Sequence, residues 1–326
     1  MNEFGKTDTE LFYSLYTGVY RYQIIRIAVL LDIFTPLVNG PKSAEDVAYK
    51  LKLHPFGTKA LLDYLASIQI LYKEKEEYEL TPTASTFLIP LKKTYAGNLI
   101  VDFITSSTWD SALKALLTGQ FESIDKEEDF IEDAWVESYR ELRLSGSMKM
   151  WDTFGVVPDK SISLDVLDIA SGCAIKSFVL AQKSKDISIT CIDSANVLEV
   201  AANLAERMNI LGQVKFLPGN LLEMELGKAK YDLCLLGQIT HYLTEIQNQN
   251  LFKKIFISLK DNGILTIDVP MDKGIHDEET TLLTFILWAN GGGKVHPFNN
   301  YKSWLENAGF SKIKQLSDRL LKAEKC

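Results

Sequence analysis

The chain is poor in cysteine, in long apolar runs and in net positive charge. Cysteine occurs four times in 326 residues, at Cys173, Cys191, Cys234 and Cys326. The four are widely spaced with no metal-type pairing, so they read as reduced thiols in a cytoplasmic protein, and no metal is expected. No apolar stretch reaches the ~20 residues that a membrane helix needs. The strongest one, residues 24–34, is interrupted by Arg26 and Asp32. The opening residues lack the charged-then-apolar pattern of a signal peptide. Lys and Arg number 35 against 43 Asp and Glu, a formal charge of −8. A nucleic-acid partner would need a basic face to neutralise phosphates, so none is expected. What is present, 46% hydrophobic and 24% charged residues with no low-complexity tract, is the composition of a globular enzyme long enough for two domains.

Residues 9–37 carry apolar side chains at helical spacing (Leu11, Leu15, Val19, Ile24, Ala28, Leu31) around too much of the circumference for a solvent-facing helix, which predicts burial in a core or against a second chain, a subunit interface being the favoured reading. Ser43-Ala44-Glu45-Asp46 is a capped helix start running to about Leu51, and a second helix is predicted over 58–68. A charged hairpin follows, with 73–77 at its tip. Helix, turn, helix and hairpin make a winged-helix arrangement. Its second helix offers only Lys59 as a cation and carries Asp63 one turn later, while the tip is more acidic than basic. A DNA-recognition helix needs several cations, so a packing and dimerisation module is expected. Residues 119–137 are strongly acidic and read as a solvated segment. Residues 135–154 read as a helix with an aromatic and methionine stripe.

From Ser161 strands and helices alternate, the pattern of a parallel sheet covered on both faces. Strands are predicted at 163–169, 188–192, 214–217, 231–236, 263–269, 310–315 and 319–323, with one edge strand antiparallel. The expected fold class is thus α/β: a Rossmann-like, seven-stranded, mostly parallel sheet behind a mainly helical winged-helix-like dimerisation domain. The boundaries are 1–100 for that first domain, 101–160 for a helical linker with pocket helices, and 161–326 for the catalytic domain.

In such sheets ligands bind beyond the carboxyl ends of the strands. The first strand ends in Asp168-Ile169-Ala170-Ser171-Gly172-Cys173-Ala174, where small residues let backbone approach a ligand. The second ends at Asp193, placed to accept hydrogen bonds from ribose hydroxyls or to cap the next helix. The third ends at Asn220-Leu221, where an amide could meet an adenine edge. The fourth ends Gly237-Gln238-Ile239-Thr240-His241, and an imidazole there is suited to accept a proton near neutral pH, or else to pack under the next helix.

Taken together these segments resemble the class I S-adenosylmethionine-dependent small-molecule O-methyltransferases of bacteria and plants. The likeness extends through Ala28-Val29-Leu30-Leu31-Asp32-Ile33-Phe34, Tyr78-Glu79-Leu80-Thr81-Pro82, Leu167-Asp168-Ile169-Ala170-Ser171-Gly172, Gly291-Gly292-Gly293-Lys294 and Trp304-Leu305-Glu306-Asn307-Ala308-Gly309-Phe310. The resemblance implies S-adenosylmethionine as cofactor and S-adenosylhomocysteine as product. Asp168, Ala170 and Gly172 would line its methionine side, Asp193 its ribose, Asn220 and Leu221 its adenine, and Gln238 its amino-acid end. His241 aligns with the family's general base. A homodimer through the N-terminal domain and a small-molecule acceptor are implied as partners. An apolar lid of Phe103, Trp135, Met148, Trp151, Phe285 and Trp288 would suit a flat aromatic or polyketide-like acceptor. The alternative is a same-fold enzyme that methylates carbon or nitrogen, catalyses a non-methylating reaction, or is a non-catalytic relative. Two positions depart from the family pattern. Ala174 replaces the turn's last glycine, although a Cβ disfavours positive φ. Val295 stands where an acidic partner of the base is expected.

Overall fold

A computed structural model describes residues 9–92, 94–102, 116–118, 140–156, 162–273, 278–289 and 293–326. Phe103, Trp135 and the acidic segment 119–137 lie outside them. The chain forms two compact units, one of residues 1–105 and 137–141, the other of residues 106–136 and 142–326.

In the first unit α1 (Thr9–Leu30) stops short of the predicted residue 37. Asp32 takes a positive φ of 51° and accepts a 2.6 Å hydrogen bond from the Thr35 hydroxyl. Pro36 then sits in a separate 3-10 turn, Thr35–Leu37. The helix buries Ala28 and Val29, while Val19, Ile27 and Leu30 remain 45–65% exposed. A two-residue strand β1 (Lys42–Ser43) leads to α2 (Ala44–Leu51), capped by the Ser43 hydroxyl. Next, α3 (Pro55–Ser67) begins three residues before the predicted start, because Pro55 preorganises its first turn and His54 caps it. The strands β2 (Leu71–Glu74) and β3 (Glu77–Leu80) pair as the wing, β3 lying between β1 and β2. Thr81 caps α4 (Pro82–Phe87), and α5 (Gly97–Asp102) returns to α1 through Tyr22, whose hydroxyl donates to the Ile100 carbonyl. Asp63 of α3 ties this unit to its wing. Its carboxylate accepts from Lys73 and from the Tyr78 hydroxyl, both at 2.7 Å, and from Lys59 at 3.3 Å. These donors, Lys73 first, hold the Asp63 carboxyl down at about 2. Lys59 and Lys73 are therefore both paired with carboxylates of this unit.

The second unit is built on seven strands: β4 (Leu164–Ile169), β5 (Ile187–Asp193), β6 (Val214–Pro218), β7 (Tyr231–Gly237), β8 (Leu259–Asp268), β9 (Ser311–Gln315) and β10 (Leu320–Glu324). Their order is β6-β5-β4-β7-β8-β10-β9. The first five run parallel, and β10 is antiparallel to both its neighbours. The antiparallel strand is thus not at the edge, as predicted, but one place inside it. The 311–324 hairpin docks through its second strand, since Leu321 and Ala323 are the apolar, fully buried positions.

The alternation of β4 sorts its side chains between two cores. Val166 joins α6 (Arg140–Phe154), α7 (Ile175–Ala181) and α8 (Ala195–Arg207) through Trp151, Phe178 and Leu204. Leu167 and Ile169 join α9 (Glu245–Ser258) and α11 (Phe298–Ala308) through Phe252, Tyr301 and Trp304. By the same parity Asp168 points toward α7. The remaining helix, α10 (Glu278–Ala289), precedes α11.

Candidate active site

Strand order reverses direction between β4 and β7, so the carboxyl ends of β5, β4 and β7 enclose the crevice where such sheets take ligands. The turn after β4 is wound through three positive φ values, 52° at Ala170, 53° at Gly172 and 56° at Ala174. The position where a glycine was expected does require the left-handed conformation, and alanine adopts it here. Ala174 is 1% exposed within the α6–α8 core, so its methyl offsets part of that strain by packing.

Asp193 holds this turn. One carboxylate oxygen accepts the Gly172 N–H at 2.8 Å and the other accepts the Ser194 N–H at 2.8 Å. Its carbonyl accepts the Gly219 N–H at 3.0 Å, which brings the 219–221 segment alongside. Asp193 does not cap the next helix, whose N-cap is Ser194 with no side-chain cap bond, so of its two readings the capping one fails. Each carboxylate oxygen spends one acceptor site on backbone and retains another. Asn220 is exposed. Its amide oxygen accepts the Leu222 N–H at 3.0 Å and its nitrogen meets Glu223 at 3.1 Å. Leu221 packs on the α9 core.

Asp168 sits deeper than the resemblance implied. It is 2% exposed and accepts the Ser177 hydroxyl of α7 at 2.6 Å. Burial raises its carboxyl to about 7, against the opposing Ser177 bond. It clamps β4 to α7 beneath the turn rather than facing the crevice. Trp151 braces the same helix, donating its indole N–H to the Lys176 carbonyl at 2.6 Å, and it is 1% exposed. Met148 borders a groove of about 1060 Å³ with Lys183, Asp186 and Gln213, toward the amino ends of the strands. Neither is placed as a wall of the crevice. Phe285 and Trp288 of α10 stack with centroids 6.3 Å apart, Phe285 37% exposed.

At the end of β7, Gln238 takes a φ of 53° and donates its side-chain amide to the Asp268 carbonyl at 2.9 Å. His241 follows in a single 3-10 turn, Thr240–Tyr242. That turn is fixed from three sides. The hydroxyls of Thr240 and Tyr301 share a 2.8 Å hydrogen bond, the Asn248 amide donates to the Thr240 carbonyl at 2.9 Å, and the Lys294 N–H donates to the His241 carbonyl at 2.9 Å. His241 is 4% exposed with its Nδ1 unpartnered, and its ring lies 4.5 Å from that of Tyr242. Burial, reinforced by Arg319 and His296, lowers its pKa to about 4. The imidazole is therefore neutral and able to accept a proton at physiological pH, while being a weaker base than an exposed one.

Two features escaped the sequence reading. Lys176, in the first turn of α7, reaches across to Asp268 at the end of β8, Nζ to Oδ2 2.6 Å. His296 is 1% exposed with both ring nitrogens unpartnered, edge-on to Trp304 and Tyr301. Asp268 could have been found by the rule that singled out Asp193, an acid ending a parallel strand. The other partners lie too far along the chain for spacing to join them.

The O-methyltransferase dimerisation domain matches residues 13–90, and a methyltransferase domain matches residues 166–263. The chain belongs to the S-adenosylmethionine-dependent O-methyltransferase family. This methyltransferase is 22% identical to the 3-hydroxy-5-methyl-1-naphthoate 3-O-methyltransferase of Streptomyces sahachiroi, over 92% of its own length and 89% of the relative's. It is 23% identical to an N,N-dimethyltransferase of Streptomyces rimosus, over 91% and 89%. Among solved structures it resembles human N-acetylserotonin methyltransferase in complex with its cofactor, with a TM-score of 0.75, 20% identity and coverage of 100% and 99%. An O-methyltransferase family protein from Burkholderia thailandensis gives a TM-score of 0.81 at 16% identity, with 98% and 99% covered. S-adenosylmethionine is the cofactor of this methyltransferase. The residues present fit it: the two Asp193 oxygens suit a ribose diol, and the small side chains of turn 170–174 leave backbone open to the ligand. Among the described residues no cluster of three or more His, Cys, Asp or Glu could hold a metal ion, and no helix is long and apolar enough to cross a membrane.

Proposed function

We propose that this methyltransferase moves a methyl group to a hydroxyl of a small, mostly apolar aromatic or polyketide-like acceptor, with His241 as the general base. The observation that carries the reading is the neutral His241 in the 3-10 turn that follows β7, on the carboxyl-end side of the sheet where Asp193 holds the Gly172 turn. When bound, S-adenosylmethionine supplies a methyl on a positively charged sulfur, so the chemistry asks the protein mainly for alignment and exclusion of water. Asp193 holds the ribose, Ala170 and Gly172 of the turn line the methionine side, and Asn220 and Leu221 lie beside the adenine. His241 accepts the acceptor's hydroxyl proton on its neutral imidazole. Phe285 and Trp288, two stacked rings on α10, supply a flat apolar wall. The naphthoate methyltransferase supports an aromatic acceptor, and the N,N-dimethyltransferase makes transfer to nitrogen the second reading.

The apolar face of α1, with Val19, Ile27 and Leu30 exposed, would bury itself in a homodimer. The reduced thiols of Cys191 and Cys234 suit the cytoplasm. The test is calorimetric titration with S-adenosylmethionine and S-adenosylhomocysteine, followed by a panel of phenols, hydroxylated polyketides and aromatic amines scored for stoichiometric S-adenosylhomocysteine. Micromolar cofactor binding and methylation of a hydroxyl are expected. Absence of binding at millimolar ligand would remove the reading, and methylation confined to amines would transfer it to nitrogen.

A further inference from the structure

Lys176 is an unexpected residue at its position. It follows a turn built of small residues, in the first turn of a helix otherwise buried along its length. Its ammonium crosses the crevice from the β4 side to the β8 side, where Asp268 Oδ2 accepts from it at 2.6 Å. Gly237 lies underneath: a Cβ built there would come 3.4 Å from Lys176 Nζ. The missing side chain at the end of β7 is what leaves the ammonium room.

The charge around this pair does not balance. Arg319 Nε stands 3.7 Å from Asp268 Oδ1, so one carboxylate faces two cations. The Asp268 side chain is 11% exposed and that of Lys176 30%, so one end of the bridge is sheltered and the other reaches the crevice. An ammonium has three N–H donors, and the Asp268 bond occupies one. A cluster with a surplus cation and donors directed into a cleft binds an anionic oxygen pair, and a carboxylate is the smallest one that fits.

Position names which carboxylate. β5 and β7 flank β4, so their ends lie two strand spacings apart, about 10 Å. Asp193 marks one end of that span and the Lys176 ammonium over Gly237 the other. An S-adenosyl ligand with its ribose at Asp193 has its amino-acid carboxylate about seven bonds further on, which is comparable to that span.

We propose that Lys176, held by Asp268, is the residue that takes the carboxylate of the cofactor's amino-acid end. This rests on the cofactor site proposed above. Asp268 acts as a positioning residue, keeping the ammonium over Gly237 instead of in solvent.

The experiment is calorimetry with two ligands that differ in the group at issue. S-adenosylhomocysteine carries the carboxylate, and 5′-methylthioadenosine shares the nucleoside and thioether without it. Lys176→Gln keeps a hydrogen-bond donor toward Asp268 but removes the charge. It should weaken S-adenosylhomocysteine at least tenfold while methylthioadenosine stays within twofold. Lys176→Arg should retain most of the affinity for both. The double variant Lys176→Met/Asp268→Asn, which removes the pair without stranding a buried charge, should show the same split. Unchanged S-adenosylhomocysteine binding, or an equal loss for both ligands, would overturn the assignment while leaving the cofactor site in place. A wild-type protein that binds neither ligand would overturn the cofactor site itself, and Lys176 with it.

Discussion

Asp193 Oδ2 accepts the backbone N–H of Gly172 at 2.8 Å, so the acid that ends β5 fixes the turn that ends β4. One side chain both builds the crevice rim and offers acceptors to what binds there. Removing it should act twice. Asp193→Ala forfeits charge-assisted bonds to Gly172 and Ser194, about 1–3 kcal/mol each when made to a charged group, and the proposed ribose contact as well. Affinity for S-adenosylhomocysteine should fall by a hundredfold or more, and Asp193→Asn should lose less. Calorimetry that finds Asp193→Ala within threefold of wild type would separate the turn from ligand binding.

His241 is predicted to act as an unprotonated base over the whole neutral range. Its pKa lies at about 4, below the exposed value, because burial opposes the charged form. The rate on acceptor should therefore be flat from pH 8 down to about 6 on account of this group, and fall only as pH drops toward 4. His241→Ala should lower turnover about a hundredfold or more while leaving cofactor affinity unchanged. An inflection near 6.5 that disappears in the variant would mean that burial does not shift the imidazole.

The sheet was legible because its signal is local. Tyr231–Gly237 and Val214–Pro218 emerge within a residue of their predicted ends, since apolar runs bounded by turns are short-range patterns. β8 starts four residues earlier than predicted, because Leu259 already pairs with Tyr231 of β7 while the polar Lys260, Asp261 and Asn262 fall in the irregularity before the Leu233–Ile264 pair. The positions of Asp193 and His241 were legible, because the last residue of β5 and the turn after β7 follow from short-range strand patterns. The site was not legible at Asp168, where the strand-end rule suggested a ligand contact but strand parity turns the side chain to Ser177. Lys176 and Asp268 are 92 residues apart, and only the finished sheet brings them together. Trp151 illustrates the remaining ambiguity: an aromatic stripe serves core and pocket alike, and here its N–H is spent on the Lys176 carbonyl.

The left-handed turn gives a comparison between two alanines. An L-residue in this conformation costs roughly 1–2 kcal/mol, which glycine avoids. Ala170 is half-buried, so Ala170→Gly should raise stability by about 0.5–1 kcal/mol. Ala174 is fully buried, and deleting its methyl costs about 0.8 kcal/mol. Ala174→Gly should therefore raise stability by a net of about 0.2–1.2 kcal/mol in urea unfolding. A large destabilisation by Ala174→Gly would show that packing, not backbone strain, governs the position.

His296 carries a stability cost that grows with acidity. Burial, with Lys294 adding to it and Glu245 opposing it, lowers its pKa to about 4. The unfolded state, titrating near 6.5, binds the proton first. Stability from this group is complete above pH 6.5 and is lost as pH falls from 6.5 toward 4. At pH 5 the loss is roughly 2 kcal/mol. His296→Leu, which also removes two unpartnered nitrogens from beneath Trp304 and Tyr301, should raise the melting temperature more at pH 5 than at pH 7.5. An equal change at both values would mean that the imidazole finds a partner in solution, such as a buried water.

Gly293 should be irreplaceable for a steric reason that runs through the base. A Cβ there would stand 2.6 Å from the His241 carbonyl oxygen and 3.4 Å from Leu287 Cβ. The nearer atom is backbone, and it already accepts the Lys294 N–H at 2.9 Å, so it cannot swing aside as a flexible side chain would. Gly293→Ala must push the 240–242 turn, or the strand of chain opposite it, by several tenths of an ångström. Displacements of that order at a reacting group can cost up to a hundredfold in rate. Turnover should fall between tenfold and a hundredfold, with S-adenosylhomocysteine affinity unchanged, because turn 170–174 and Asp193 are untouched. If the effect passes through His241, the losses from Gly293→Ala and His241→Ala should fail to add in the double variant. Additive losses would place the effect of Gly293 elsewhere in the pocket, most directly on α10 through the Gly293 N–H to Leu287 carbonyl bond at 3.2 Å.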